Sequence, residues 1–398
     1  MFTSSEIKAL NIHELVKKQN LPAYIYFEHL IEKQLTLLKE NFKKFDIFYS
    51  FKANPNENIC NFIKKQGHFA DTASIGEVRL ALKCGFKKEE IIFSSPGKKE
   101  SEIAEALGKC IIIADSLSEL QLINEVCKKN NLVEEIGIRI NPDYSMGEAS
   151  ANEIMCGVPS KFGIDEGELE NQLNFIQDLS NIKIIGIQVY MGSQITDGTI
   201  LYNNFYNIFK IASFCETNLN LNLKFIDFGG GFGVQHTEDE KKLDLAAAGA
   251  RVSEIIASAE FERFRNTRLI IESGRFLCAP AGVYVTPVLD TKISREKKYA
   301  ILDGGMNTFF RPVFMKENKY PIAVINKLDE DKNEKVTLGG VMCTPIDIFQ
   351  EDVMLPPLEK GDIVAFFNTG AYGYTMSLTK FISHDEASEF YITKEELL

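Results

Sequence analysis

Eight short apolar segments recur between residues 46 and 274, and most of them close on a small, polar or charged residue. They are 46–52 (DIFYSFK), 68–74 (HFADTAS), 91–96 (IIFSSP), 110–115 (CIIIAD), 135–141 (EIGIRIN), 184–191 (IIGIQVYM), 225–231 (FIDFGGG) and 268–274 (RLIIESG). Helical periodicity fills most of the gaps, as in 100–107, 116–129 and 166–179. Strands that alternate with helix-length connections pair in parallel, because a parallel crossover needs that much chain. Eight such units predict an α/β chain built on a closed (β/α)8 barrel of TIM type, whose chemistry lies at the C-terminal ends of its strands.

The pattern changes after the eighth segment. From Gly282 onward, short alternating runs at 283–288, 299–302, 322–325, 335–338, 363–367 and 389–392 are separated by turn signals, with no long helix. That predicts an antiparallel β-sandwich or small barrel. The β-rich run 22–27 (PAYIYF) is expected to join it. The barrel is therefore expected over 29–280, set within a β domain made of 1–28 and 281–398.

The 398-residue length accommodates both parts, and 45% hydrophobic with 25% charged residues is ordinary for a globular protein. A net charge of −12, with basic residues only in short pairs such as Lys43-Lys44 and Lys98-Lys99, argues against a nucleic-acid surface. Eight scattered cysteines and five histidines form no metal-ligand spacing, so reduced thiols and no metal are expected. The first residues lack a signal-peptide pattern, and no apolar run approaches a membrane span. A cytoplasmic protein with no membrane partner is the expectation. There is no GxSxG elbow for hydrolase chemistry.

Lys52 stands in the apolar run FYSFKAN, where burial favours either a lowered pKa or covalent use of the amine. Alone, it reads first as a strand-end lysine keeping its amine in water, and the other strand ends turn that reading toward chemistry. Gly229, Gly230 and Gly231 follow the seventh strand, and side-chain-free backbone there can bring N–H groups onto a phosphate, or merely turn the chain. The spacing does not fit a dinucleotide fingerprint. Glu272, in IIESGR, can keep a heteroaromatic nitrogen protonated, while Arg275 can grip a phosphate or carboxylate; a plain ion pair is the simpler alternative. Cys343 reads as an acid, a nucleophile or a small core residue, and Tyr372 as a phosphate donor or a turn filler. Together, an amine, a phosphate loop, a carboxylate and an arginine on one barrel face point to pyridoxal 5'-phosphate.

The stretches FYSFKAN, DTASIGE, SSPGKK, IRINP, MGSQI, FGGGFG, ESGR, DGGMN, CTPID and GAYGY occur in that order. Over nearly its whole length the chain resembles the fold-type III pyridoxal-phosphate decarboxylases, which act on diaminopimelate, ornithine and arginine. The resemblance implies that Lys52 holds the cofactor aldehyde as a Schiff base and that Glu272 pairs with the pyridine nitrogen. Ser193, Gly229, Gly230, Gly231, Arg275 and Tyr372 match cofactor- and phosphate-binding positions, and Arg139 a ring-side arginine. It further implies a homodimer with shared active sites, in which Cys343 enters from the partner subunit and protonates the product carbanion.

Three positions depart from the family pattern. Tyr190 replaces the histidine usual against the cofactor ring; Thr344 follows Cys343 where diaminopimelate decarboxylases carry glutamate; and Met315 stands where a tyrosine is expected after Arg311. Arg311 itself matches the arginine that binds a distal substrate carboxylate, and Thr344 and Asp347 lie in the same specificity run as Cys343. Tyr190 and the Cys-Thr-Pro run, together with 156–163 (CGVPSKFG), 283–287 (VYVTP) and 381–384 (FISH), are similar to a specialised branch. That branch includes the butirosin-pathway enzyme acting on glutamate tethered to an acyl carrier protein. The resemblance thus puts a carrier-bound or conjugated amino acid first as substrate and small-molecule meso-diaminopimelate second. A non-catalytic partner-binding homologue is disfavoured by the joint presence of Lys52, Glu272 and Cys343. Alanine racemase shares the barrel but lacks a counterpart to CTPID.

Overall fold

The computed structural model describes residues 4–17, 19–144, 157–237, 239–315 and 320–397. Cys156, the first residue of the CGVPSKFG run, lies outside them. The chain divides into two compact units. One comprises Leu35–Gly233 with Lys242–Gly274; the other comprises Met1–Gln34, Val234–Lys241 and Arg275–Leu398.

The first unit is the barrel. Its strands are β1 (Phe45–Ser50), β2 (Phe69–Thr72), β3 (Ile91–Ser94), β4 (Ile111–Ala114), β5 (Glu134–Asn141), β6 (Ile182–Gln188), β7 (Phe225–Asp227) and β8 (Arg268–Ser273). All neighbours pair in parallel, and β4 closes on β5 through Ile113↔Gly137, so the sheet has no free edge. Each expected segment overlaps its strand, and three strands, at Phe45, Glu134 and Ile182, start one or two residues earlier than expected. The strands are apolar along their length because both faces are covered, which is why the sequence shows runs rather than alternation.

The barrel interior is packed by Phe48, Ile92, Ile111, Ile113, Phe225 and Ile270. The ring of Phe225 sits where β5 and β6 both carry glycine. A Cβ on Gly186 would approach that ring to 2.3 Å, and one on Gly137 to 2.8 Å. Large and small residues thus alternate across facing strands. Outside, Leu117–Lys129 is capped by Ser116, whose hydroxyl accepts from the Glu119 N–H at 3.1 Å. The pattern over 166–179 predicts one helix, but the chain forms Glu166–Asn171 and Leu173–Gln177. Gln172 leaves helical geometry between them (φ −108°, ψ 20°), and its N–H is shared by the carbonyls of Glu168 and Leu169.

The second unit is an eight-stranded sheet. Its long strand Gly282–Ser294 pairs antiparallel with Ala23–Phe27, Ile363–Phe367 and Lys297–Leu302. The sheet is mixed rather than purely antiparallel, since Ala23–Phe27 pairs in parallel with Ser388–Ile392, and Lys297–Leu302 with Glu334–Gly339. Strand Ile348–Leu355 is not anticipated by the sequence pattern. Its middle residues Glu351 and Asp352 are exposed, and Asp352 has a φ of +52°, so the apolar alternation breaks at a register shift. One face buries Ile25, Phe27, Val283, Val285, Ala365 and Phe367. Tyr24, Tyr284, Phe309, Phe349 and Phe366 form an aromatic cluster, in which the Tyr24 hydroxyl donates to the Thr308 carbonyl at 2.7 Å. Among the described residues, no helix is long and apolar enough to cross a membrane.

The Gly186 packing gives a direct stability test. Gly186→Ala pushes a methyl into the Phe225 ring and is expected to destabilise the protein by about 1–3 kcal/mol in urea unfolding. Phe225→Leu in the same chain should restore part of that loss; strictly additive losses would show that the two positions do not meet.

Candidate active site

The C-terminal ends of the barrel strands carry an unusual set of acids. Asp71 closes on β2, Asp227 ends β7 and Glu272 lies one residue from the end of β8. All three are buried. Burial and the neighbouring Asp71 raise the Glu272 carboxyl above its ordinary range, while Lys52 and Arg139 oppose that rise. Asp227 is pushed up by burial and by Glu272.

Lys52 lies on a single 3-10 turn, Phe51–Ala53, just beyond β1 rather than on the strand itself. Its Nζ is 3.2 Å from Asp71 Oδ2 and 5.6 Å from the centre of the Tyr190 ring. The side chain keeps 40% of its exposure, so the amine is reachable while paired. Tyr190, two residues beyond β6, is also approached by the Arg139 guanidinium at 5.9 Å. Arg139 lies over Phe162 at 4.5 Å and faces Asp115 Oδ2 at 3.6 Å. Asp115 is fixed in turn, because its Oδ1 accepts from the Gly163 N–H and its own N–H donates to Glu119, which also holds the buried Lys98 ammonium.

The glycine loop after β7 is set by close approach. Gly229 has a φ of +61°, and a Cβ on Gly230 would meet the Glu272 carbonyl oxygen at 2.5 Å. The Glu272 N–H donates to the Gly229 carbonyl at 2.8 Å, tying the loop to β8. The turn that carries Ser193 abuts the loop, since a Cβ on Gly231 would come within 2.4 Å of the Gly192 carbonyl oxygen.

The second unit holds a separate cluster of cations. The guanidinium of Arg275 lies 5.0 Å from the Tyr372 ring centre and that of Arg311 lies 5.2 Å from it. Tyr372 adopts a φ of +56°, uncommon for a tyrosine, and presents its ring to both. Arg311 is buried, its Nε finds no partner, Nη1 reaches the Met376 sulfur at 3.5 Å, and the guanidinium also hydrogen-bonds the Tyr320 side chain. Burial and Arg275 lower its pKa. His236 stacks edge-on against Tyr320 at 5.4 Å. Cys343 is exposed and Thr344 half-buried on the loop that follows Glu334–Gly339. Asp347 anchors that loop, its two oxygens accepting from the N–H groups of Met306 and Met342 at 2.7 and 2.8 Å.

The barrel thus brings together Lys52, Arg139, Tyr190, Ser193, Gly229, Gly230, Gly231 and Glu272, while Arg275, Arg311 and Tyr372 meet in the second unit. Sequence reasoning assigns no role to Asp71, Asp115, Gln188, Asp227 or His236. The strand-end acids leave a signal in principle, as acids inside apolar runs. Gln188 and His236 leave none.

A closed parallel barrel with an accessible lysine, a backbone loop free of side chains and a buried carboxyl defines the α/β-barrel class of pyridoxal-phosphate enzymes. Residues 28–279 match the family model described as the pyridoxal-dependent decarboxylase, pyridoxal binding domain. The chain is 39% identical to the L-glutamyl-[BtrI acyl-carrier protein] decarboxylase of Niallia circulans, over 94% of this chain and 89% of that protein. It is 31% identical to the diaminopimelate decarboxylase of Archaeoglobus fulgidus, over 95% of this chain and 90% of that one. The crystal structure of Helicobacter pylori diaminopimelate decarboxylase with L-lysine superposes with a TM-score of 0.86 at 30% identity, covering 96% of this chain and 94% of the other. The chain belongs to the pyridoxal-dependent decarboxylase family that includes the diaminopimelate and ornithine enzymes. It is a carboxy-lyase of amino-acid metabolism that uses pyridoxal 5'-phosphate. The donor set fits that cofactor: an amine for its aldehyde, a loop without side chains for its phosphate and a buried carboxyl for its ring nitrogen.

His236 provides a pH test of this region. Burial, then Arg275 and Arg311, depress its pKa from 6.5 to about 4. The native state therefore keeps it neutral while the unfolded chain takes up a proton, so its contribution is intact above about pH 6.5 and is lost as pH falls toward about 4. His236→Gln is expected to flatten that acid limb by up to about 3 kcal/mol in unfolding free energy measured against pH. Equal slopes in both proteins would show that His236 is not the titrating group.

Proposed function

We propose that this decarboxylase acts on an amino acid with a second, distal carboxylate, with meso-diaminopimelate as the substrate and L-lysine as the product. The observation that carries this reading is Arg311. A buried guanidinium without a carboxylate partner among the described residues is costly, and a substrate anion would offset that cost. Arg275 shares the same tyrosine ring, which favours an anionic guest further. The relatives named diaminopimelate decarboxylase, at 28–32% identity, support it as well. The sequence ranks a carrier-bound substrate first; these observations move the free diacid ahead of it.

Bound pyridoxal phosphate supplies an electron-accepting ring for the pair left on Cα when CO2 departs. In this proposal Lys52 tethers the cofactor by its amine, and Asp71 keeps that amine oriented. Gly229, Gly230, Gly231 and Ser193 hold the phosphate, with Arg275 and Tyr372 as further donors. Glu272 holds the proton at the ring nitrogen, and Tyr190 lines the ring where the family usually carries histidine. Arg139 braces Tyr190 from its own seat on Asp115 and Phe162. Cys343 returns a proton to Cα from the partner subunit of a homodimer, on a loop kept in shape by Asp347. Thr344, beside it, contacts the substrate without adding a negative charge.

A second reading keeps the same chemistry but places glutamate on an acyl carrier protein. The 39% identical relative and the absence of a carboxylate at Thr344 favour it. CO2 release by the cofactor-loaded enzyme separates the two. Turnover of meso-diaminopimelate, with KM raised about 10- to 100-fold by Arg311→Leu, is the expected result. No release from meso-diaminopimelate alongside release from glutamyl carrier protein would overturn it in favour of the second reading. Lys52→Ala is expected to abolish CO2 release and to let the cofactor dialyse away; a variant that still decarboxylates would refute the assignment of Lys52.

A further inference from the structure

Asp227 is absent from the roles assigned so far, yet its side chain touches both halves of the cofactor machinery. It is fully buried at the end of β7. Its Oδ1 accepts from the N–H of Gly229 at 2.9 Å, inside the glycine loop. Its Oδ2 lies 3.4 Å from Gln188 Nε2, and the same amide nitrogen donates to Glu272 Oε1 at 2.5 Å. The orientation of that amide is fixed from behind, where the Ser94 hydroxyl donates to Gln188 Oε1 at 2.8 Å. Gln188 therefore turns its two N–H bonds toward two carboxyl groups.

Two carboxyls sharing one amide in a dry interior do not both ionise. The surrounding charges decide which one keeps the proton. Glu272 feels the cations Lys52 and Arg139 as well as the anion Asp71. The charged groups acting on Asp227 are Glu272 and Asp71, both acidic. We propose that Asp227 is a positioning residue that holds a proton between the two carboxyls, keeping Glu272 ionised and locking it to the phosphate-binding glycine loop. As an acid it donates toward Glu272, and as a carbonyl it accepts from Gly229. Glu272 then has a donor in Asp227 and another in Gln188, and it keeps acceptor capacity for the ring nitrogen. The backbone repeats the link, since the Glu272 N–H bonds to the Gly229 carbonyl.

Infrared spectroscopy of the holoenzyme tests this directly. A C=O stretch of a protonated carboxyl is expected in the wild type at about pH 8, above the value of about 7 to which burial raises Glu77. It should vanish in Asp227→Asn. Its persistence in Asp227→Asn, or its absence from the wild type, would overturn the proposal. Kinetics supply a second reading. Asp227→Asn keeps one acceptor and one donor and should lose less than about tenfold in kcat, whereas Asp227→Leu should lose about 10- to 100-fold in kcat and in cofactor affinity. Equal losses in the two variants would reduce Asp227 to a packing role, and if the leucine variant fails to fold, the infrared result on the asparagine variant decides alone.

Discussion

Negative charge in a water-poor barrel mouth is the constraint around which the first unit is organised. Three acids crowd the strand ends at Asp71, Asp227 and Glu272, and all are buried. An isolated carboxylate in such a place would neutralise rather than ionise. The surrounding residues read as answers to that cost. Lys52 pairs with Asp71, Gln188 offers its amide to the other two, and Arg139 adds a cation braced by Asp115. The amine that we propose tethers the cofactor is thus also a counter-ion.

The second unit poses the opposite problem. Arg275 and Arg311 bring two guanidiniums to one tyrosine ring, and burial and mutual repulsion depress Arg311 and hold His236 neutral. In the function we propose, cations in that state are prepared for an anionic guest. This is why specificity is better argued from Arg311 than from the loop around Cys343, where Thr344 is neutral and Asp347 is occupied by backbone donors.

Much of this architecture is legible in the chain. Eight apolar runs of strand length, spaced by helical patterns, leave few alternatives to a closed barrel, and each run overlaps the strand it predicts. The mixed pairing in the second unit is not legible, because parallel or antiparallel partners are chosen by contacts far apart in sequence, such as Ala23↔Ser388. Strand Ile348–Leu355 hides behind Glu351 and Asp352, which face solvent on a bulged edge. Lys52, Glu272 and the three glycines are recognisable by type and by position. Gln188 is not, since a glutamine on an apolar strand carries no mark of the two acids it will meet. Asp227 sits two residues before a conspicuous glycine run that draws the eye away from it.

The glycine loop has a consequence for how such an enzyme changes over time. The grip on the cofactor that we propose for it would be made from main chain, with no functional side chain in it to lose. Substitutions there fail by adding atoms, as the 2.5 Å approach of a Cβ on Gly230 to the Glu272 carbonyl illustrates. The positions that depart from the family pattern, Tyr190, Thr344 and Met315, are under no such veto on added atoms. A scaffold that would hold its cofactor by main chain, with replaceable side chains around it, is well suited to acquiring new substrates one substitution at a time.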